Sequence, residues 1–287
     1  MNYKIQEMKD LYDKGLSLKQ IAKIFGYKTG KSISDKFKKH NIPTRSIKEQ
    51  KALLKTYDES FLEKLDASWK GYFIGLMLTD GWINTDKTNV GLQSVDEDLI
   101  SFISLCTNKN YFKYPGKNFE NPTNKKIYIG KDFYRINFTS EKLYQDIQRF
   151  GIVQNKTKCI GKINLYPDEQ KYIKDILRGI IDGDGTFGFP SNCPGTAYCR
   201  IVSASEFFLE QILKWFLILG FENLKVKPVS GQVDLWQIEI CGFENLQLVK
   251  YCIYKNPYGL KRKRNKLLEA AYPSDWDRKT SYMRETP

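Results

Sequence analysis

Apolar and polar positions along the 287-residue chain change period several times. Near the start, Ile5, Met8, Leu11 and Tyr12 recur at helical spacing and stop at Gly15. Ser17 then precedes a second helical stretch with Ile21, Ala22 and Phe25 on one face, and Gly26 ends it. Ile33 and Phe37 predict a third helix over Ser32–Lys39, closed by Pro43. Further on, apolar runs at 72–79 and 176–181 read as buried helices, and both give way to Asp-Gly. Period-2 alternation follows in "FYRINF" (133–138) and "WQIEI" (236–240). There Tyr134, Ile136, Phe138, Trp236, Ile238 and Ile240 face a core, and Arg135, Asn137, Gln237 and Glu239 face out.

These elements repeat. "YFIGLMLTDGWI" (72–83) matches "ILRGIIDGDGTF" (176–187), and "GLQSVDEDLISFI" (91–103) matches "RIVSASEFFLEQI" (200–212). "YRINFTSEKLYQDI" (134–147) matches "WQIEICGFENLQLV" (236–249), and "NKTK" (155–158) lines up with "LKRK" (260–263). Four elements in one order, about 102–109 positions apart, mark an internal duplication, each copy reading αββαββα. Gly75 and Thr79 in the first copy, and Gly179 and Gly183 in the second, are small residues four apart on one helix face. They let two helix backbones approach. Parallel packing would then bring Asp80 and Asp184 together at the helix C-termini, where the dipole disfavours anions. Two carboxylates there form a negative pocket suited to divalent cations.

Charge adds a second feature. The net charge is +13, and residues 1–57 carry 14 Lys/Arg against 5 Asp/Glu. A basic segment on a nearly balanced body points to a polyanion, most simply nucleic acid. The three short N-terminal helices resemble a helix-turn-helix module, whose third helix would place Lys31, Ser32, Ser34, Asp35 and Lys38 near DNA. The single histidine, His40, argues against His triads and multi-His metal sites. Six cysteines without a C-x-x-C pair read as reduced thiols. With no signal-peptide pattern and no apolar run long enough to span a bilayer, a cytoplasmic protein without membrane association is expected.

"FIGLMLTDG" (73–81) and "LRGIIDGDG" (177–185) resemble the LAGLIDADG homing endonucleases in their single-chain, two-motif form, and the likeness extends over roughly residues 60–275. The first copy departs at its sixth position, where Leu78 replaces the usual Asp; the eighth-position acids, Asp80 and Asp184, are both present. The resemblance implies an α+β fold: two pseudo-symmetric repeats forming a DNA-binding saddle, preceded by the small all-α helix-turn-helix domain. The expected boundaries are 1–45 for that domain, 46–59 for a basic tether, 60–165 and 166–275 for the repeats, and 276–287 for a tail. It further implies that Asp80, Asp184 and the backbone carbonyls of Thr79 and Gly183 bind Mg²⁺ (or Mn²⁺), and that both DNA strands are cut to leave short 3′ overhangs.

Some relatives carry an active-site Gln and Lys, and the residues aligned near those places are Ser94, Ser203, Glu141 and Glu244. The basic candidates are therefore Lys156 or Lys158 and Lys261 or Lys263, with Lys156 and Lys261 assigned to catalysis and Lys158 and Lys263 to DNA. On the groove-facing sheets, Arg135, Asn137, Arg200, Gln237 and Glu239 are expected to read bases. Lys126, Tyr128, Lys225 and Lys227 share the polar face of "KIYIG" and "LKVKPV". The expected partner is double-stranded DNA with a long asymmetric target site, bound by a monomer. A non-cleaving DNA-binding regulator on the same fold and an intron-splicing maturase are the alternatives. An intein is disfavoured because Ile42 follows "HN" at 40–41, where Cys, Ser or Thr is required.

Overall fold

The chain divides into two compact units, Met1–Tyr57 and Asp58–Pro287. A computed structural model describes residues 3–46, 49, 56–120, 122, 125–189 and 197–271. Most of the expected tether at 46–59 and all of the expected tail at 276–287 lie outside the described residues.

The smaller unit contains helices α1 (Tyr3–Asp13), α2 (Leu18–Ile24) and α3 (Gly30–Lys39). Met8, Ile21, Ile33 and Phe37 are fully buried in its core, as the helical spacing requires. Ser17 caps α2 through a reciprocal box: its Oγ accepts from the Gln20 N–H at 3.3 Å, and Gln20 Oε1 accepts from the Ser17 N–H at 2.8 Å. The third helix starts two residues earlier than the sequence suggested, at Gly30.

In the larger unit the first repeat runs α4 (Ser68–Thr79), β1 (Trp82–Ile83), β2 (Asn89–Ser94), α5 (Glu97–Thr107), β3 (Phe112–Tyr114), β4 (Phe119–Glu120), β5 (Ile127–Tyr128), β6 (Phe133–Thr139) and α6 (Glu141–Gln148). The second runs α7 (Ile173–Asp184), β7 (Thr186–Gly188), β8 (Tyr198–Ser203), α8 (Glu206–Ile218), β9 (Val226–Pro228), β10 (Trp236–Cys241), α9 (Phe243–Leu248), a π-helical turn (Val249–Ile253) and α10 (Lys261–Ala271). Each repeat builds one antiparallel sheet with the same order, β1-β2-β6-β3 and β7-β8-β10-β9. That shared order is the duplication expressed in three dimensions.

Two expectations need correction. "KIYIG" is not part of the first sheet: Lys126 and Tyr128 belong to a separate β4–β5 hairpin, and the sheet's outer strand is β3. Strand parity also holds less cleanly than alternation implies. Ile136, Phe138, Ile238 and Ile240 are fully buried, but Tyr134 and Trp236 are only half-buried and Gln237, expected outside, is 8% exposed.

α4 and α7 are packed parallel, residue against counterpart. A Cβ on Gly75 would strike the Ile176 carbonyl oxygen and lie 2.8 Å from Gly179 Cα. One on Gly179 would strike the Tyr72 carbonyl oxygen, and one on Gly183 would strike Thr79 Oγ1. One turn earlier, a Cβ on Gly71 would lie 3.0 Å from Asp175 Cβ. The facing pairs 71/175, 75/179 and 79/183 keep one sequence offset, so the helices run side by side with their C-termini together. Gly75→Ala is therefore expected to destabilise the larger unit by about 3 kcal/mol, since a methyl would have to displace backbone atoms of the facing helix. Urea denaturation measures this, and a loss under about 0.5 kcal/mol would contradict the packing.

Candidate active site at the paired helix ends

Asp80 is the C-cap of α4 and Asp184 the last residue of α7, so the helix pair delivers both carboxylates to one place. Each keeps accessible surface, while its inner side rests against the helix ends. Partial burial raises Asp80 above the ordinary carboxylate range, opposed chiefly by Lys263 and then Lys156. Burial first, and then the charge of Asp80, push Asp184 up to about 6, opposed by Lys156 and then Lys263. Among the described residues no hydrogen bond reaches either side-chain carboxylate.

Two lysines close the helix ends. Lys156 Nζ donates to the Thr79 carbonyl at 2.7 Å and the Gly81 carbonyl at 2.6 Å. Lys263 Nζ donates to the carbonyls of Ile181 at 2.8 Å, Asp182 at 2.6 Å and Gly183 at 2.9 Å. Cations on the orphan carbonyls offset the aligned negative ends of two parallel dipoles. Burial holds both lysines below their usual pKa, while the aspartates pull them back up. Arg262, next to Lys263, crosses from the second repeat to clamp Asp96 at the start of α5, with N···O distances of 2.9–3.1 Å.

The sequence alignment of "NKTK" with "LKRK" therefore slips by two positions. Lys263 is the counterpart of Lys156, and Lys261, assigned to catalysis, stands exposed at the start of α10. The cause is local geometry, because residues 154–159 form turns whereas 261–271 are helical. Ser94 and Ser203 accept from the N–H of Asp96 and Ser205, each at 3.1 Å, and serve as turn caps. Glu141 and Glu244 stand in the first turns of α6 and α9.

Sequence reasoning missed Trp82 and Gln93, which with Arg135 and Asp80 line a cleft of about 330 Å³. Gln93 lies one residue before Ser94, on the opposite strand face; parity of β2 was the available signal. A second cleft, about 410 Å³, contains Asp184, Lys156, Thr79 and Thr157 against Leu78, Val202 and Phe208.

The expected DNA-facing residues are dispersed. Arg200 and Lys227 both pair with Glu239 on the second sheet. Lys158 pairs with Asp234 at 3.2 Å, and Lys225 is exposed. Arg135 donates to Gln93 Oε1 at 2.7 Å, and buried Asn137 Oδ1 has no partner among the described residues. Lys126 and Tyr128 are exposed on their hairpin. In the smaller unit Lys31 and Lys38 are exposed on α3, with Ser32 and Ser34 half-buried beside them.

The donor set suits a hard divalent cation. It comprises two unpartnered carboxylates and helix-end carbonyls, each carbonyl oxygen having a second lone pair beside its lysine bond. No group of three His, Cys, Asp or Glu that could hold a metal occurs among the described residues. Water or substrate oxygens would therefore have to complete the coordination, as is usual for Mg²⁺.

No protein-family model and no curated protein matches the chain. Solved structures do. The homing endonuclease I-WcaI bound to its DNA recognition sequence aligns at 15% identity over 78% of this chain and 92% of that chain, with a TM-score of 0.51. The chain has the LAGLIDADG homing-endonuclease fold. The LAGLIDADG meganuclease I-AabMI bound to uncleaved DNA aligns at 11% identity over 75% and 92%, TM-score 0.45. Mesophilic variants of the homing endonuclease I-DmoI align at 14% identity over 69% and 96%, TM-score 0.43. With the LAGLIDADG fold established, the Asp-Gly pairs are the ends of its two central helices. Among the described residues no helix is long and apolar enough to cross a membrane.

The raised Asp184 pKa has a stability consequence. Its folded value, about 6, lies above its unfolded value near 3.8, so the folded state is penalised above pH 6 and relieved as pH falls toward 4. In EDTA, Asp184→Asn is expected to stabilise the protein at pH 8 by about 1 kcal/mol, the full shift being reduced by solvent screening. The gain should vanish at pH 4. Thermal unfolding at both pH values checks the sign, and a destabilised variant at pH 8 would contradict it.

Proposed function

We propose that the protein is a site-specific endonuclease that cuts both strands of double-stranded DNA with Mg²⁺ or Mn²⁺, leaving short 3′ overhangs. The observation that carries this reading is the convergence of Asp80 and Asp184, unpartnered, at two parallel helix ends closed by Lys156 and Lys263. Asp80, Asp184 and the carbonyls of Thr79 and Gly183 would hold the metal, which when bound activates water and stabilises the leaving oxygen. Lys156 and Lys263 hold the helix ends together and set positive charge beside the scissile phosphate. Arg135, Asn137, Arg200, Lys225, Lys227, Gln237 and Glu239 supply phosphate and base contacts, with Lys126, Tyr128 and Lys158 toward the periphery. The three-helix unit acts as a helix-turn-helix that lengthens the footprint through Lys31, Ser32, Ser34 and Lys38. The protein works as a cytoplasmic monomer on a long asymmetric target, since the duplication puts both half-sites in one chain.

The test is cleavage selection from a plasmid library of randomised sites with purified full-length protein and Mg²⁺. Wild type should linearise a defined subset of plasmids. Asp80→Asn and Asp184→Asn should each lose double-strand cutting by at least ~10³-fold, about 4 kcal/mol of barrier. Undiminished cutting by the double variant would remove these residues from the site, and specific binding without nicking would favour a non-cleaving regulator.

The lysine assignment is tested separately. Lys263→Met should lower cutting by about 10²-fold or more, whereas Lys261→Met should change it by less than about threefold. Urea denaturation of Lys263→Met confirms that the folded protein is being assayed, and equal losses in the two variants would restore Lys261.

A further inference from the structure

The residues that open α5 and α8 differ in a way that helix capping does not explain. Asp96 and Ser205 both stand in extended backbone, at φ/ψ of −89°/105° and −109°/105°, set to cap the helix that follows. Ser205 does so, its Oγ accepting from the Phe208 N–H at 3.2 Å. Asp96 makes no side-chain cap bond, and the Leu99 N–H is left to Asp98 at 3.0 Å. Both Asp96 oxygens go instead to the Arg262 guanidinium in the other repeat, Oδ1 to Nε at 3.0 Å and Oδ2 to Nη2 at 2.9 Å.

Stability does not account for that exchange. The Arg262 side chain is 55% exposed, and an ion pair open to water contributes no more to folding than a good cap. What the pair does supply is direction. Two parallel N–H···O bonds fix a guanidinium in plane and angle, as a single point charge would not.

Direction matters because of the next residue. Arg262 and Lys263 leave α10 about 100° apart around the helix, so holding one sets where the other points. The Leu260 N–H on Asp182, at 3.0 Å, ties the start of α10 to the second repeat but leaves its rotation open. Arg262 on Asp96 is a second anchor, and it lies on the first repeat. With both in place, Lys263 Nζ meets the Ile181, Asp182 and Gly183 carbonyls together.

We infer that Asp96 and Arg262 are positioning residues: their ion pair lets the first repeat set the rotation of α10 and so hold the Lys263 ammonium at the second helix end. The inference rests on the nuclease reading and goes beyond it by giving a role to two residues that act only through Lys263.

The experiment is single-turnover cleavage of the selected site by full-length protein, with binding of the same duplex measured in EDTA. Asp96→Ser gives the first half the capping residue of the second. It should unfold in urea at the wild-type midpoint or above, and bind the duplex within about threefold of wild type, yet cut about tenfold more slowly. Arg262→Gln should slow cutting by a similar factor. A double-mutant cycle identifies the route. Added to Lys263→Met, Asp96→Ser should slow cutting by less than about a further threefold; added to Lys156→Met, it should exert its full effect. Undiminished cutting by Asp96→Ser would overturn the inference. So would losses that multiply with Lys263→Met, which would make Arg262 a direct contact to DNA. If wild type cuts no site at all, the nuclease reading falls and takes the inference with it.

Discussion

Everything in the larger unit hangs on the contact between Gly75 and Gly179. Backbones this close can be reached only where both helices lack a side chain. Because the contact repeats at 71/175 and 79/183, the helices cannot be staggered without burying a clash. That register brings two C-termini, two aspartates and two sheets into correspondence. It also creates an electrostatic problem, since parallel dipoles put like partial charges together and each end carries an acid. Lys156 and Lys263 answer it with direct bonds to five carbonyls. The remaining strain stays in the carboxylates, which are left without donors and above their ordinary pKa. Ordinary packing would have satisfied those acids, and their unsatisfied state leaves them open to a cation.

The proposed function thus sits where local rules conflict with stability. A carboxylate at a helix C-terminus is unfavourable once; two facing each other are worse, unless a cation arrives. The lysines cannot substitute fully for that cation, because their ammonium groups point at carbonyl oxygens. The helix-end carbonyls show how the conflict is shared. Each has one lone pair committed to an ammonium and another available, so the lysines shape the oxygen-lined site without filling it.

Much of this was legible in the sequence for one reason: duplication. A lone Asp-Gly after a helix is a common turn, but two in matching places, with small residues one and five positions before each Asp, specify a helix pair. The outline of elements in each half, and the inward faces at Ile136, Phe138, Ile238 and Ile240, followed from the same pattern. What was not legible depended on geometry between segments. Lys263 was aligned with Lys158 instead of Lys156 because Lys156 and Lys263 reach equivalent atoms from unlike elements, a turn in one half and a helix in the other. Gln93 was missed because its neighbour Ser94 aligned with Ser203 and drew attention away from the opposite strand face. Arg200 and Glu239 carried the right parity, yet their mutual pairing cannot be read from two strands viewed separately.

The sixth position of each motif shows how far duplication had to be broken. In the first copy it is Leu78, part of the wall beside Asp184. In the second it is Asp182, 1% exposed, whose carboxylate accepts from Tyr72 and Tyr254 hydroxyls, Arg178 Nε and the Leu260 N–H at 2.6–3.0 Å. A buried acid is tolerable only with such complete pairing, and truncating any donor would leave charge uncompensated. The bond to Leu260 fixes the chain one residue before α10 begins, and the Asp182 carbonyl receives Lys263. Asp182 is therefore a positioning residue: it stations the helix that carries the second lysine. The first half needs no such anchor, because Lys156 arrives on a turn. An acid buried at the same depth in both motifs would have required a second set of donors. Leu78 avoids that demand and leaves an apolar wall at Asp184, whereas Asp182, at the same motif position, stations Lys263.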